Sequence, residues 1–214
     1  MDLLLEGYRR FRADTWPQQR RRYQELATRG QRPPVMVIAC ADSRVDPATI
    51  FSTAPGEIFT VRNVANLVPP HETGAGYHGT SAALEFGVRA LQVEHLLVLG
   101  HGLCGGVRAL LEGPPMESDF VGAWMSIAEP ARRHALAHHD AEARQRACEH
   151  ETIRLSLRNL MTFPWIRLAA EAGRLTLHGG WFDIHTGTLL RLDADGEFRP
   201  VPVEASESPD ESRR

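Results

Sequence analysis

Three side chains in this sequence are soft metal donors standing at the ends of apolar runs. Cys40 closes the run Val35-Met36-Val37-Ile38-Ala39, and His101 and Cys104 follow the run His95 to Leu99. The latter two sit in Gly100-His101-Gly102-Leu103-Cys104-Gly105-Gly106, a His-x-x-Cys spacing that suits a turn entering a helix. Glycines there let the backbone approach closely without a Cβ clash, and the N–H groups of Gly105 and Gly106 are expected to face the Cys104 thiolate. If both runs are strands of one sheet, two sulfurs and an imidazole meet in one crevice. That set suits zinc, and three protein ligands with one open position is the pattern of a catalytic site. The competing reading, a strand-to-helix turn with a buried thiol and an incidental histidine, is weakened by the cysteine at the second strand end.

Asp42 and Arg44 lie beside this set, in Cys40-Ala41-Asp42-Ser43-Arg44. An arginine fork binds a carboxylate bidentately, so Arg44 can hold Asp42 off the metal and leave the fourth position for water. The alternative is an ordinary loop salt bridge. Zinc with two thiolates and a neutral imidazole carries no net charge, so water on it is expected to be less acidic than on a three-histidine zinc, where the pKa is about 7. Asp42 is then placed to accept a hydrogen bond from the attacking oxygen and to orient it, a catalytic role rather than only a ligand's.

The elements that must position these residues follow from the hydrophobic pattern. Val35–Ala39, Ile58–Val61 and His95–Leu99 are continuous apolar runs, as in strands covered on both faces of a parallel sheet. Gly79 to Leu91 has helical periodicity, another helix begins after Gly105, and 118–172 is helical with turns at Glu129-Pro130 and Phe163-Pro164. Leu175 to Leu192 suggests two strands around the turn 183–187. The fold class is therefore α/β: a single domain, 31–203, with a mostly parallel central sheet flanked by helices, whose ligands sit beyond the carboxyl ends of the strands. Residues 1–30 form an N-terminal helical arm, an amphipathic pattern broken at Trp16-Pro17 and closed by Gly30, with an apolar stripe to bury on its own core or on a partner subunit. Residues 204–214 form a Ser/Glu-rich tail expected to be disordered.

Composition narrows the functions. The 214 residues are 43% hydrophobic with a net charge of −3, enough for one core and without a field that gathers nucleic acid or anionic lipid. The longest apolar runs are far short of the roughly 20 residues of a membrane span, and Met1-Asp2 begins no basic-then-apolar leader. The expectation is a cytoplasmic protein with no nucleic-acid or membrane partner. All 24 basic residues are arginine, which excludes a Schiff-base lysine, a phosphate-loop lysine or a pyridoxal site. The cysteines Cys40, Cys104 and Cys148 are odd in number, which points away from a disulfide framework and toward metal or catalysis.

The segments Cys-Ala-Asp-Ser-Arg-Val (40–45), Pro-Gly-Glu-Ile-Phe-Thr-Val-Arg-Asn-Val-Ala-Asn (55–66), Gly-Thr-Ser-Ala-Ala-Leu-Glu-Phe (79–86) and Gly-His-Gly-Leu-Cys-Gly-Gly (100–106) resemble the β-class carbonic anhydrases in order and spacing. The resemblance implies reversible hydration of CO2 to bicarbonate and a proton by zinc-bound hydroxide. It places one zinc per subunit on Cys40, His101 and Cys104, with Asp42 and Arg44 as a catalytic dyad. In a subset of the family the aspartate closes onto zinc as fourth ligand, which makes Asp42 a candidate metal ligand as well. Bicarbonate-regulated members use a tryptophan where this chain has Val37 and a tyrosine where it has Phe182, although Arg62 matches, so bicarbonate regulation is not expected. The family's dimers imply a homodimer or homotetramer, with the N-terminal arm crossing the partner.

Other candidates carry less. His138 and His139 lie in a stretch of Ala, Arg and Glu that suggests a solvated helix face, Cys148 suggests a structural thiol, and His178 suggests a packing histidine more than a proton relay. Arg62 and Asn63 suggest loop or interface support. Three rival functions stay open at this level: a thiol redox or cysteine-nucleophile protein, a carbonyl sulfide or carbon disulfide hydrolase on the same fold, and a non-catalytic zinc-binding role.

Overall fold

The computed structural model describes residues 1–74, 76–113 and 117–203; the expected tail at 204–214 lies outside them. In chain order the elements are α1 (Asp2–Arg10), α2 (Trp16–Arg29), β1 (Val35–Cys40), α3 (Pro47–Ile50), β2 (Ile58–Asn63), α4 (Gly79–Glu85), β3 (His95–His101), α5 (Gly105–Glu112), α6 (Val121–Met125), α7 (Glu129–Ala135), α8 (Ala141–Leu160), α9 (Pro164–Glu171), β4 (Thr176–Phe182), β5 (Leu189–Leu192) and β6 (Phe198–Pro200). The strands form one sheet in the order β2-β1-β3-β4-β5-β6. The first four are parallel, and β5 and β6 continue the sheet antiparallel.

The chain passes from β1 outward to β2 on one side and then returns to β3 on the other, so the strand order reverses between β1 and β3. A crevice opens at the carboxyl ends of strands at such a reversal. Ala39 is in register with Leu99 and His101 with Phe182, so Cys40 and His101 emerge at that same edge.

Alternation along β1 and β3 sorts the core into two faces. Met36, Ile38, Leu96 and Val98 point into a large cluster with Leu84, Ile153, Leu160, Phe163 and Ile166, while Val37, Ala39 and Leu99 form a much thinner cluster on the opposite face. Helix α8 packs across β3 and β4 on the thick side. It lies close because β3 and β4 offer glycines beneath it: a Cβ on Gly100 would stand 2.7 Å from Ile153 Cδ1, and one on Gly179 would stand 3.1 Å from Ile153 Cγ2.

Several expectations are corrected. The run Ile58–Val61 is a strand but not one covered on both faces, because β2 is the edge strand and none of its residues is fully buried. Trp16-Pro17 does not break the arm: residues Phe11–Thr15 widen into a π turn, and Pro17 falls in the first turn of α2, where a missing N–H is tolerated. Pro130 likewise opens α7 instead of ending a helix, and the real break is at 136–140, where the Asp140 side chain caps α8 by accepting from Ala143 N at 2.7 Å. His138 and His139 are exposed in that break, not on a helix face. The short edge strand β6 was not expected from its three residues.

The arm buries none of its residues in its own chain, and Leu3 and Leu4 remain 76% and 69% exposed. Its inner end is tied down, with Arg22 bonded to the Pro55 carbonyl and the Glu57 carboxylate and with Leu26 packed on Gly56. No helix among the described residues is long and apolar enough to cross a membrane.

Ile153 is fully buried between helix and sheet. Ile153→Ala is expected to lower unfolding free energy by about 2–5 kcal/mol, read from the urea midpoint at fixed protein concentration, and a loss below about 0.5 kcal/mol would contradict this packing.

Candidate metal centre

Cys40 ends β1, and the loop that follows is held by a residue of the neighbouring strand. Arg62 of β2 donates from Nε to the Cys40 carbonyl at 2.9 Å, from Nη2 to the Asp42 carbonyl at 2.6 Å and from Nη1 to Asp46 Oδ2 at 3.1 Å. Asp46 in turn caps α3 by accepting from Thr49 N at 3.0 Å. The loop therefore has little freedom. Within it Arg44 grips Asp42 through Nε to Oδ1 at 2.9 Å and Nη2 to Oδ2 at 2.7 Å, while Arg44 N also donates to Oδ1 at 3.0 Å. These bonds hold the Asp42 carboxyl well below the usual carboxylate range, with Arg44's side chain the largest cause. Arg44 Nη2 reaches further, to the Leu103 carbonyl at 3.1 Å, and so joins the two ligand loops.

The second loop turns between β3 and α5. Leu103 adopts the left-handed region at φ 56°, which costs about 1–2 kcal/mol for a residue with a Cβ. Gly102 N anchors the turn on the Phe182 carbonyl at 2.9 Å. Cys104 is then the N-cap of α5 and makes no side-chain capping hydrogen bond to it; the backbone of Val107 and Gly106 in the first turn opposes, without outweighing, the rise of its thiol. Of the expected pair, Gly105 and Gly106, only Gly106 acts on the thiol in this way, together with Val107.

Cys40, His101 and Cys104 converge. Their ligand atoms all lie within 4.8 Å of one another, the two sulfurs are 3.9 Å apart, and the three residues are only 5%, 1% and 1% exposed. His101 Nδ1 sits 2.8 Å from the Gly102 carbonyl, which assigns the proton to Nδ1 and leaves Nε2 an acceptor. Nε2 is buried and has no hydrogen-bond partner. The donors fit zinc: tetrahedral bonds of about 2.3 Å place two sulfurs about 3.8 Å apart, and the orphaned Nε2 gains a partner.

The charges lead to the same conclusion. The Cys40 thiol is lowered to about 4, chiefly because Cys104 hydrogen-bonds to it and also because His101 is beside it, whereas that shared bond and burial push Cys104 up. Burial pulls His101 down, yet the Cys40 thiolate outweighs it and raises the imidazole. A divalent cation would replace the shared proton and satisfy all three donors at once. Asp42 Oδ2 stands at the rim of this cluster, 4.0 Å from His101 Nε2.

The structure also places the remaining candidates. His178 pairs in register with Leu97, four residues short of Phe182 beside His101, and its Nε2 meets His95 Nδ1 at 3.2 Å, so it packs away from the centre. Cys148 is fully buried in α8, where burial raises its thiol to about 12. Asn63 supports its own loop, accepting from Leu67 N at 2.9 Å and donating to Thr80 Oγ1 at 3.2 Å. Val37 and Phe182 pack together on the thin face of the sheet. Sequence reasoning missed Gln145, Glu149 and Trp181, which stand directly behind Cys104. The signal was available as two polar residues at i and i+4 on the inward face of α8.

Fold and centre together define an α/β metalloprotein with three buried soft donors at the switch point of its sheet. Comparison with known proteins specifies this further. The family model described as "Carbonic anhydrase" matches residues 35–189. The chain is 41% identical over 180 residues to the chloroplastic beta carbonic anhydrase 5 of Arabidopsis thaliana, covering 81% of this chain and 58% of that protein. It is 36% identical over 203 residues to the mitochondrial beta carbonic anhydrase 6 of the same plant, covering 91% of this chain and 69% of the relative. Among solved structures it resembles the beta-carbonic anhydrase CcaA with a TM-score of 0.86 at 33% identity, over 95% of this chain and 92% of the other. A tetrameric beta-carbonic anhydrase of Sordaria macrospora aligns with a TM-score of 0.79 at 28% identity, over 89% and 95% of the two chains. The chain belongs to the β-class carbonic anhydrases.

Arg44→Gln is expected to return the Asp42 carboxyl toward the ordinary value of about 4, followed as the pH titration of its carboxyl carbon by NMR. A carboxyl that stays depressed without the guanidinium would show that Arg44 is not what holds it down.

Proposed function

We propose that this chain is a zinc-dependent carbonic anhydrase that interconverts CO2 and bicarbonate, with Cys40, His101 and Cys104 holding the metal and with Asp42 and Arg44 as its catalytic pair. The observation that carries this reading is the buried, partnerless Nε2 of His101 among two close sulfurs, with a fixed carboxylate at the rim. Zinc, when bound, supplies the Lewis acidity that makes water a nucleophile near neutral pH.

The chain's own residues do the rest. Asp42 stays ionised because Arg44 holds it, so it accepts a hydrogen bond from the attacking oxygen without keeping the proton. The overall change is CO2 and water to bicarbonate and a released proton. Both Asp42 oxygens are engaged by Arg44, so Asp42 could join Cys40, His101 and Cys104 in holding the metal only if that fork released it. Two thiolates would donate more charge to the metal than imidazoles do and would make it a weaker Lewis acid, so turnover is expected to increase on the alkaline side.

This reading includes a homodimer or homotetramer. Supporting it are the exposed leucines of the arm, the thin sheet face and the tetrameric state named for the Sordaria macrospora protein. It also includes a reducing setting such as the cytoplasm, since Cys40, Cys104 and Cys148 are free thiols and the two ligands must stay reduced to hold metal.

Metal analysis and stopped-flow CO2 hydration test the proposal. About one zinc per chain is expected, with activity that rises from pH 6 to 9, disappears on chelation and falls by about 100-fold or more in Asp42→Ala. Metal-free turnover, or hydrolysis of carbonyl sulfide without CO2 hydration, would overturn it. Removing residues 1–29 is expected to convert the assembly to smaller species in light scattering, and an unchanged mass would show that the arm does not hold subunits together.

A further inference from the structure

Helix α8 brings two polar side chains to the back of the metal loop, where an apolar helix face would pack more simply. Glu149 is 3% exposed and Gln145 is 9% exposed. Glu149 Oε1 accepts from Cys104 N at 3.0 Å and from Gln145 Nε2 at 2.9 Å, and Oε2 accepts from Trp181 Nε1 at 3.1 Å. Gln145 Nε2 also donates to the Cys104 carbonyl at 3.0 Å. The two peptide groups flanking Cys104 are therefore held from one helix, the N–H by a carboxylate and the C=O by an amide.

A buried carboxylate is expensive unless hydrogen bonds compensate it, and here its partners are three neutral N–H groups. A core glutamate serving only packing would have no reason to meet the backbone N–H of a ligand cysteine. The loop needs such a hold: Leu103 is strained at φ 56°, and Gly102 is pressed on Trp181, where a Cβ would stand 3.1 Å from the ring. Cys104 is the N-cap of α5, and its sulfur stays 3.9 Å from that of Cys40 only if its backbone stays where α8 fixes it.

We propose that Glu149, assisted by Gln145, is a positioning residue for the metal centre: it acts through the Cys104 backbone to set the direction of the thiolate and the affinity for zinc. This rests on the reading of Cys40, His101 and Cys104 as a zinc site.

The test strips the protein of metal, reloads it with Zn2+ or Co2+, and reads zinc affinity by chelator competition and the thiolate-to-cobalt charge-transfer band. In Glu149→Met no side-chain acceptor remains for the Cys104 N–H, so zinc affinity is expected to fall by about 10–100-fold and the band to move. Leu160→Ala empties a fully buried position of the same helix in the core cluster that holds no metal ligand, so it is expected to lower the Tm while leaving zinc affinity within about twofold and the band in place. Wild-type affinity with an unmoved band in Glu149→Met would overturn the proposal, as would an equal metal effect in Leu160→Ala. Should Glu149→Met fail to fold, Gln145→Met loosens the same grip from the carbonyl side, and wild-type zinc affinity there would be equally fatal. A wild-type protein that takes up no zinc refutes the zinc-site reading itself, whereas wild type and Glu149→Met binding zinc equally well refutes only the role of Glu149.

Discussion

Two sulfurs and an imidazole nitrogen buried together make an arrangement that only a cation stabilises. Without one, Cys40 and Cys104 must share a proton, and His101 Nε2 has nothing to bond. The rest of the architecture keeps these groups together against that tendency. The reversal of strand order between β1 and β3 supplies a crevice, and the parallel register brings Cys40 and His101 to one edge of it. Helix α5 then begins directly after Cys104, which is its N-cap.

Neither ligand loop has regular structure, and both borrow stiffness from elements that do. Arg62 reaches from β2 to three points of the Cys40–Asp46 loop, and Gln145 and Glu149 reach from α8 to both sides of Cys104. Arg44 bridges the two loops, gripping Asp42 in one and the Leu103 carbonyl in the other. Placing reactive groups on loops while anchoring those loops to strands and helices preserves geometry without making the site itself regular. It also explains why Leu103 can occupy a backbone region that a free loop would avoid.

Much of this was legible in the residues. Continuous apolar runs identified β1 and β3, and the donors at their ends identified the centre, because strand ends and ligand chemistry are both local signals. The α/β class and the mostly parallel sheet followed from alternation of the elements. What was not legible depended on tertiary position. The run at 58–61 has the composition of a covered strand but lies at the sheet edge, and proline at 17 and 130 marks helix starts that look like breaks when only spacing is considered. The grip of Glu149 on Cys104 joins residues 45 apart in sequence, a relation that periodicity cannot express.

The depth at which the donors lie also governs traffic. With Cys40, His101 and Cys104 nearly sealed from solvent and their loops tied to β2 and α8, an ion held there would exchange more slowly than one held with equal affinity by exposed side chains, because the ties that fix the donors also narrow its way out.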